Sequence, residues 1–120
     1  MGRALRLLLV EDHADSAELM AEILESHGHH VSVALTASAA LELAKTQKFD
    51  LVVSDVGLPD ASGYDLMQQL HELHAMKGIA ITGSAGDDVE KRGRAAGFAA
   101  HLTKPVTIRR LEQVINEVCL

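Results

Sequence analysis

The sequence predicts an α/β domain, a parallel five-stranded sheet doubly wound by five helices. Three observations predict it. Five short apolar runs, each of a length suited to a buried strand, alternate with stretches of helical period. Such alternation feeds parallel strands through right-handed crossovers. Most of the runs end abruptly in an acid, a hydroxyl or a lysine, which places polar chemistry along one sheet edge. Finally, hydrophobic residues make up 48% of the chain and aromatics only 2%, so the core is aliphatic. A chain of 120 residues forms one domain and buries roughly two-thirds of its unfolded surface.

Leu5–Val10 is the first strand, apolar on both faces, and it runs straight into Glu11 and Asp12. From Ala14 to His27, Ala17, Met20, Ile23 and Leu24 recur at helical spacing, and Gly28 stops the helix. Val31–Leu35 is a shorter second strand. Thr36 or Ser38 caps the next helix, whose apolar face is Ala37, Ala40, Leu41 and Ala44. Leu51–Ser54 is the third strand. Asp55 stands at its carboxyl end, followed by the turn formers Gly57, Pro59, Asp60, Ser62 and Gly63. Leu66, Leu70 and Leu73 mark the third helix, and Gly78–Thr82 is a fourth strand ending in a hydroxyl. Asp87–Ala96 is helical but weakly patterned, with Val89 as its one large apolar residue. Gly93 within it and Gly97 at its end predict a loosely held helix. Ala99–Thr103 is the fifth strand and leads into Lys104 and Pro105. Ile108, Leu111, Ile115 and Val118 give the last helix the clearest stripe.

The totals exclude several classes. A formal net charge of −6 argues against non-specific nucleic-acid binding, which needs clustered Lys and Arg. The single cysteine, Cys119, excludes an internal disulfide and suits a reducing cytoplasm. No apolar run approaches the about 18 residues of a membrane span, and no separate hydrophobic leader precedes the first strand. The expectation is a cytoplasmic domain without membrane contact.

Strand ends bring Glu11, Asp12, Asp55, Thr82 and Lys104 to one edge, where ligands of open α/β sheets bind. Three crowded carboxylates repel by roughly 3 kcal/mol per pair at about 5 Å and an effective dielectric near 20. Left alone, one of them stays protonated. A divalent cation together with Lys104 offsets the repulsion. Few carboxylates with room for water and a phosphate oxygen suit Mg²⁺ better than Ca²⁺. A carboxylate nucleophile, a metal, a lysine and a threonine hydroxyl are the parts that phosphoryl transfer needs.

The pair Glu11–Asp12, the segment Ser54-Asp55-Val56-Gly57-Leu58-Pro59-Asp60, the strand end Ile81–Thr82 and the pair Lys104–Pro105 resemble the receiver domain of two-component response regulators. The resemblance spans nearly the whole chain, in order. The segment GFAAHLTKPV, from Gly97 to Val106, further resembles receivers of hybrid sensor histidine kinases. It implies a flavodoxin-like sheet in the order 2-1-3-4-5. It also implies a phosphorelay receiver that is not an enzyme, catalysing only its own phosphorylation and dephosphorylation. By that resemblance Asp55 is the phosphoacceptor, and it shares Mg²⁺ with Asp12 and the carbonyl of Gly57. Glu11 acts on the metal mostly through water. Thr82 and Lys104 hold the phosphoryl group. Thr82 and His101 form the switch, with His101 standing where family members usually carry Tyr or Phe. An imidazole there adds pH dependence. The Lys104–Pro105 bond is expected to be cis, turning the lysine into the site. The fourth helix, fifth strand and fifth helix are the expected output face.

The implied partner is a histidine kinase or histidine phosphotransfer protein carrying phosphohistidine on a helical hairpin or bundle. Its expected dock is the first helix near Asp15, Ser16 and Ala17, where small side chains permit close approach. Gly57 and Ser84 are small, which predicts a short-lived phosphoryl state. The last apolar positions end the chain at Leu120, so a single receiver domain over 1–120 without an output domain is expected. It is either free-standing or cut from a hybrid kinase, and a monomer is favoured.

Competing readings remain. A Mg²⁺-dependent phosphatase with an aspartyl nucleophile places a second Asp two residues on, where this chain has Gly57. A flavodoxin-type carrier would meet repulsion between its flavin phosphate and Glu11 and Asp12. A receiver-like fold that only binds partners leaves five site groups without purpose. Ser84 is the alternative phosphate hydroxyl to Thr82. The histidines at 27, 29 and 30 read as a solvated turn rather than a zinc site, and His71 and His74 as surface residues. Met67 and Met76 read as packing residues.

Overall fold

A computed structural model describes residues 4–83 and 86–119. Its elements follow one another as β1 (Arg6–Val10), α1 (Ala14–Ser26), β2 (His30–Ala34), α2 (Ala37–Thr46) and β3 (Leu51–Asp55), then α3 (Gly63–His74), β4 (Lys77–Thr82), α4 (Asp87–Ala96), β5 (Phe98–Thr103) and α5 (Ile108–Val118). All strand pairs are parallel, in the order β2-β1-β3-β4-β5. Strand bounds differ by a residue or so from those the apolar runs suggest. The runs record which side chains are buried, whereas strand ends follow the ladder hydrogen bonds.

Alternation along each strand divides the core into two layers. Leu8, Val10, Val52 and Ala80 meet α2 and α3 through Ala40, Ala44, Leu66 and Leu70. Leu7, Leu9, Val53 and Ile79 meet α1 and α5 on the opposite face through Leu24, Leu111 and Ile115. Both faces of β1 and β3 are therefore covered, which explains why their sequences are apolar without alternation. Met67 and Met76 are buried in the first of these layers.

Local chemistry fixes the helix starts. Thr36, rather than Ser38, caps α2: its Oγ1 accepts from the Ala39 N–H at 3.0 Å. A second anchor comes from far along the chain. The Asp60 carboxylate accepts from the Ala37 N–H (2.9 Å) and the Ser38 N–H (3.0 Å), tying the loop after β3 to the start of α2. These two hydrogen bonds hold the Asp60 carboxyl below its usual range. Gly28, at φ 97°, follows α1 in a conformation that favours glycine.

His29 corrects the expectation of a solvated turn. His27 and His30 are exposed, but His29 is only 5% exposed. Its Nδ1 accepts from the Leu5 N–H at 3.2 Å, so Nε2 carries the proton and donates to Glu112 Oε1 at 3.1 Å. The ring thus joins Leu5, the residue before β1, to α5 at the end of the sheet away from the acids. His74 lies on the surface with its Nε2 on the Ala44 carbonyl at 2.7 Å, and His71 is also exposed.

Candidate functional site

Parallel register aligns the carboxyl ends of β1, β3 and β4. Val10 lies beside Ser54 and Asp55 beside Ile81. Asp55 closes β3 beside Ile81 of β4 and is 3% exposed. Among the described residues, neither of its carboxylate oxygens has a hydrogen bond of good geometry. Lys104, after β5, sets its Nζ 3.2 Å from Asp55 Oδ1 and 3.9 Å from Glu11 Oε2, as ion pairs. The Lys104 N–H donates to the Thr82 carbonyl at 2.8 Å, which ties the lysine to the end of β4. The Lys104–Pro105 peptide bond is cis. Thr82 is buried at 6% exposure. Glu11 is buried, while Asp12 beside it is exposed.

The structure thus brings Glu11, Asp12, Asp55, Thr82 and Lys104 to one edge. Gly57 lies two residues beyond Asp55, in a loop closed by a bridge to Ser62. His101 is elsewhere: it sits half-buried within β5 and lines the groove between α4 and α5. Ser84 lies outside the described residues.

The crowding sorts the protons. Burial, followed by the Glu11 carboxylate, pushes Asp55 up to about 7, against the pull of Lys104. Burial also raises Glu11, but it ends below its ordinary value. The shared proton of Asp55, hydrogen bonds from His13 and the Lys104 charge outweigh the burial. Asp55, more deeply enclosed, is therefore the carboxyl that resists ionisation.

Sequence reasoning missed His13. Its N–H (3.0 Å) and Nδ1 (2.9 Å) both reach Glu11 Oε1, and Nδ1 lies 3.4 Å from Asp12 Oδ1. These contacts, the Glu11 hydrogen bond first, raise its pKa. The only signal was its place directly after the acid pair. Glu11, Asp12 and His13 present ligand atoms within 4.8 Å of one another. Of the three residues of the dock expected on α1, Asp15 and Ser16 are exposed and Ala17 is not. Ala17 is 0% exposed and faces the sheet, so it cannot receive a partner. Nearby, His13, Ser16 and Met20 on one side and Lys104, Pro105 and Val106 on the other line a mainly apolar cavity of about 450 Å³.

The fold places the chain among the receivers of two-component signalling. The model of the response regulator receiver domain matches residues 7–116. An uncharacterized 14.6 kDa protein of Leptolyngbya boryana is 33% identical over 95% of this chain and 89% of its own length. The sensor histidine kinase AruS of Pseudomonas aeruginosa is 38% identical over 96% of this chain, which spans only 12% of AruS. A CheY-like response regulator receiver domain protein from Methanospirillum hungatei superposes with a TM-score of 0.89 at 34% identity, covering 96% of this chain and 93% of the other. The chain belongs to the response regulator receiver domain family. Among the described residues, no helix is long and apolar enough to cross a membrane.

Proposed function

We propose that this chain accepts a phosphoryl group from a phosphohistidine donor onto Asp55, with Mg²⁺, as one step of a two-component phosphorelay. The observation that carries the reading is the buried Asp55 carboxylate, with the Lys104 ammonium 3.2 Å from its Oδ1 and the Glu11 carboxylate beside it. An anion so enclosed is costly unless a cation offsets it. Oxygen donors at this edge fit Mg²⁺. Asp12, Asp55 and the Gly57 carbonyl would hold the ion, with Glu11 acting through water. When bound, the metal neutralises charge on the phosphoryl oxygens.

The residues then divide the work. An Asp55 oxygen attacks phosphorus in line, the P–N bond of the donor breaks, and the imidazole leaves with the bonding pair. Lys104 follows the phosphoryl oxygens as a point charge, and the Thr82 hydroxyl donates to one of them. Repositioning of Thr82 and His101 transmits the change to the α4–β5–α5 face. The reaction returns when water hydrolyses the acyl phosphate, so no external substrate is turned over.

Incubation with acetyl phosphate and Mg²⁺, followed by intact mass measurement, tests this reading. One added phosphoryl group that requires Mg²⁺ and is acid-stable but base-labile is expected. An unmodified mass would leave only the partner-binding reading.

The cavity between α1 and the segment after β5 is the surface on which the donor protein would dock. Ser16→Arg is therefore expected to slow transfer from a phosphohistidine protein on the order of tenfold. The same variant should leave acetyl phosphate, which needs no docking, unaffected. Equal slowing of both reactions would place the dock elsewhere.

A further inference from the structure

Whole-chain charge conceals a sharp segregation. Residues 91–110 contain six Lys and Arg and no acid, although the chain as a whole has 11 bases and 17 acids. Residues 7–44 show the reverse, with seven acids and neither Lys nor Arg. The basic window folds into the end of α4, all of β5 and the start of α5. Lys91, Arg92, Arg94, Arg109 and Arg110 are all exposed there.

Between the two helices lies a groove of about 290 Å³. Arg94 and Arg110 stand on its rims, and Gly93, Ala99 and Ala100 leave the strip of β5 between them open. β5 is an edge strand, so the outer side of its backbone meets no further strand of the sheet. Lys104 is taken up by Asp55 and Glu11, but among the described residues little of the charge on the other five is neutralised. Glu90 pairs with Arg94 at 2.8 Å, an exposed i,i+4 contact of small worth. Among the described residues, Arg110 reaches the neutral Gln113 at 3.2 Å, and Arg92 lies over the Tyr64 ring at 4.4 Å.

We propose that this face docks an acidic protein segment, a partner chemistry that rests on the reading of α4–β5–α5 as the output face. Arg94 and Arg110 grip carboxylates across the groove, and the small residues between them admit the segment's backbone. A protein segment fits better than a nucleic acid. The window offers no exposed Phe, Tyr or Trp for base stacking, since Phe98 is 4% exposed. A long polyanion would also extend beyond the groove towards the acid-rich remainder of the chain. A segment confined to the groove stays within about one Debye length, roughly 8 Å, of the rim charges.

The test is an amide chemical-shift titration of the full chain with a short oligoglutamate peptide. Parallel titrations use a short DNA duplex and anionic phosphatidylserine vesicles at equal charge concentration. Shifts confined to residues 90–110, with affinity falling as salt rises, are expected for oligoglutamate alone. Arg94→Glu with Arg110→Glu should weaken binding at least about tenfold, and the double alanine variant should weaken it less. Acetyl phosphate labelling measured by mass should be unchanged in both variants, so failure of this proposal is distinguishable from failure of the Asp55 reading. Scattered shifts, or undiminished binding by the double glutamate variant, would overturn the proposal. So would equal binding of DNA or vesicles, or concentration-dependent self-association in place of peptide binding.

Discussion

Asp55→Asn is expected to abolish labelling by acetyl phosphate and, in metal-free buffer above pH 7, to make the protein more stable than its parent. The first effect follows from chemistry: an amide oxygen at this position is no nucleophile for phosphorus. The second follows from the environment. The Asp55 carboxyl is pushed up to about 7 by burial and by Glu11, while an unfolded Asp titrates near ~3.9. Below both values the group is protonated in either state, and the folded form loses nothing. As pH rises from ~3.9 to about 7, the unfolded chain gives up its proton more readily than the folded one, so stability falls; above 7 the loss is complete.

A difference of about three units corresponds to at most about 4 kcal/mol, and the opposite shift of Glu11 offsets part of it. Asparagine is neutral throughout and escapes the loss. Thermal melts should show the variant ahead of its parent near about pH 8 and the gap closing near about pH 5. Mg²⁺ should raise the parent's Tm near about pH 8 more than the variant's, because one anionic ligand is gone. Undiminished labelling of Asp55→Asn would sink the phosphoacceptor assignment. Equal melting at both pH values would sink the electrostatic account.

Much of this was written locally in the sequence. The strands were legible because β1 and β3 are covered on both faces and so are apolar throughout, and α5 because its Leu111 and Ile115 face one layer. The five site groups were legible because each ends a strand or lies within two residues of a strand end, and parallel strands share a carboxyl edge. What escaped depends on distant partners. His29 looks like turn decoration until Glu112, 83 residues away, is folded against it. Asp60 looks like an ordinary turn residue, yet it holds the start of α2. Ala17 was read by size, but its side chain is spent on packing α1 against the sheet. The basic face was hidden by averaging, since a net charge of −6 says nothing about where the positive residues collect.

Gly63→Ala is expected to be the most disruptive single-methyl change near the site. Gly63 opens α3, and its N–H donates to the Val56 carbonyl at 2.7 Å. A Cβ added there would overlap the Asp55 carbonyl oxygen and crowd Val56 Cα. These are backbone atoms and cannot rotate away. The chain at Val56 is further fixed by its own N–H donating to Ile81 at 3.0 Å. Relief therefore requires lifting α3, which carries the buried Tyr64, Leu66, Met67 and Leu70, or bending the end of β3. Either route costs about 3 kcal/mol. That cost corresponds to a fall in Tm of roughly 10 °C or more in a domain of this size. Because β3 ends in Asp55, labelling by acetyl phosphate should slow as well. Gly57→Ala is the control: a Cβ at Gly57 meets nothing within 4 Å, so it should stay within about 0.5 kcal/mol of the parent. If both variants melt alike, close approach of α3 to the strand end is not what Gly63 provides.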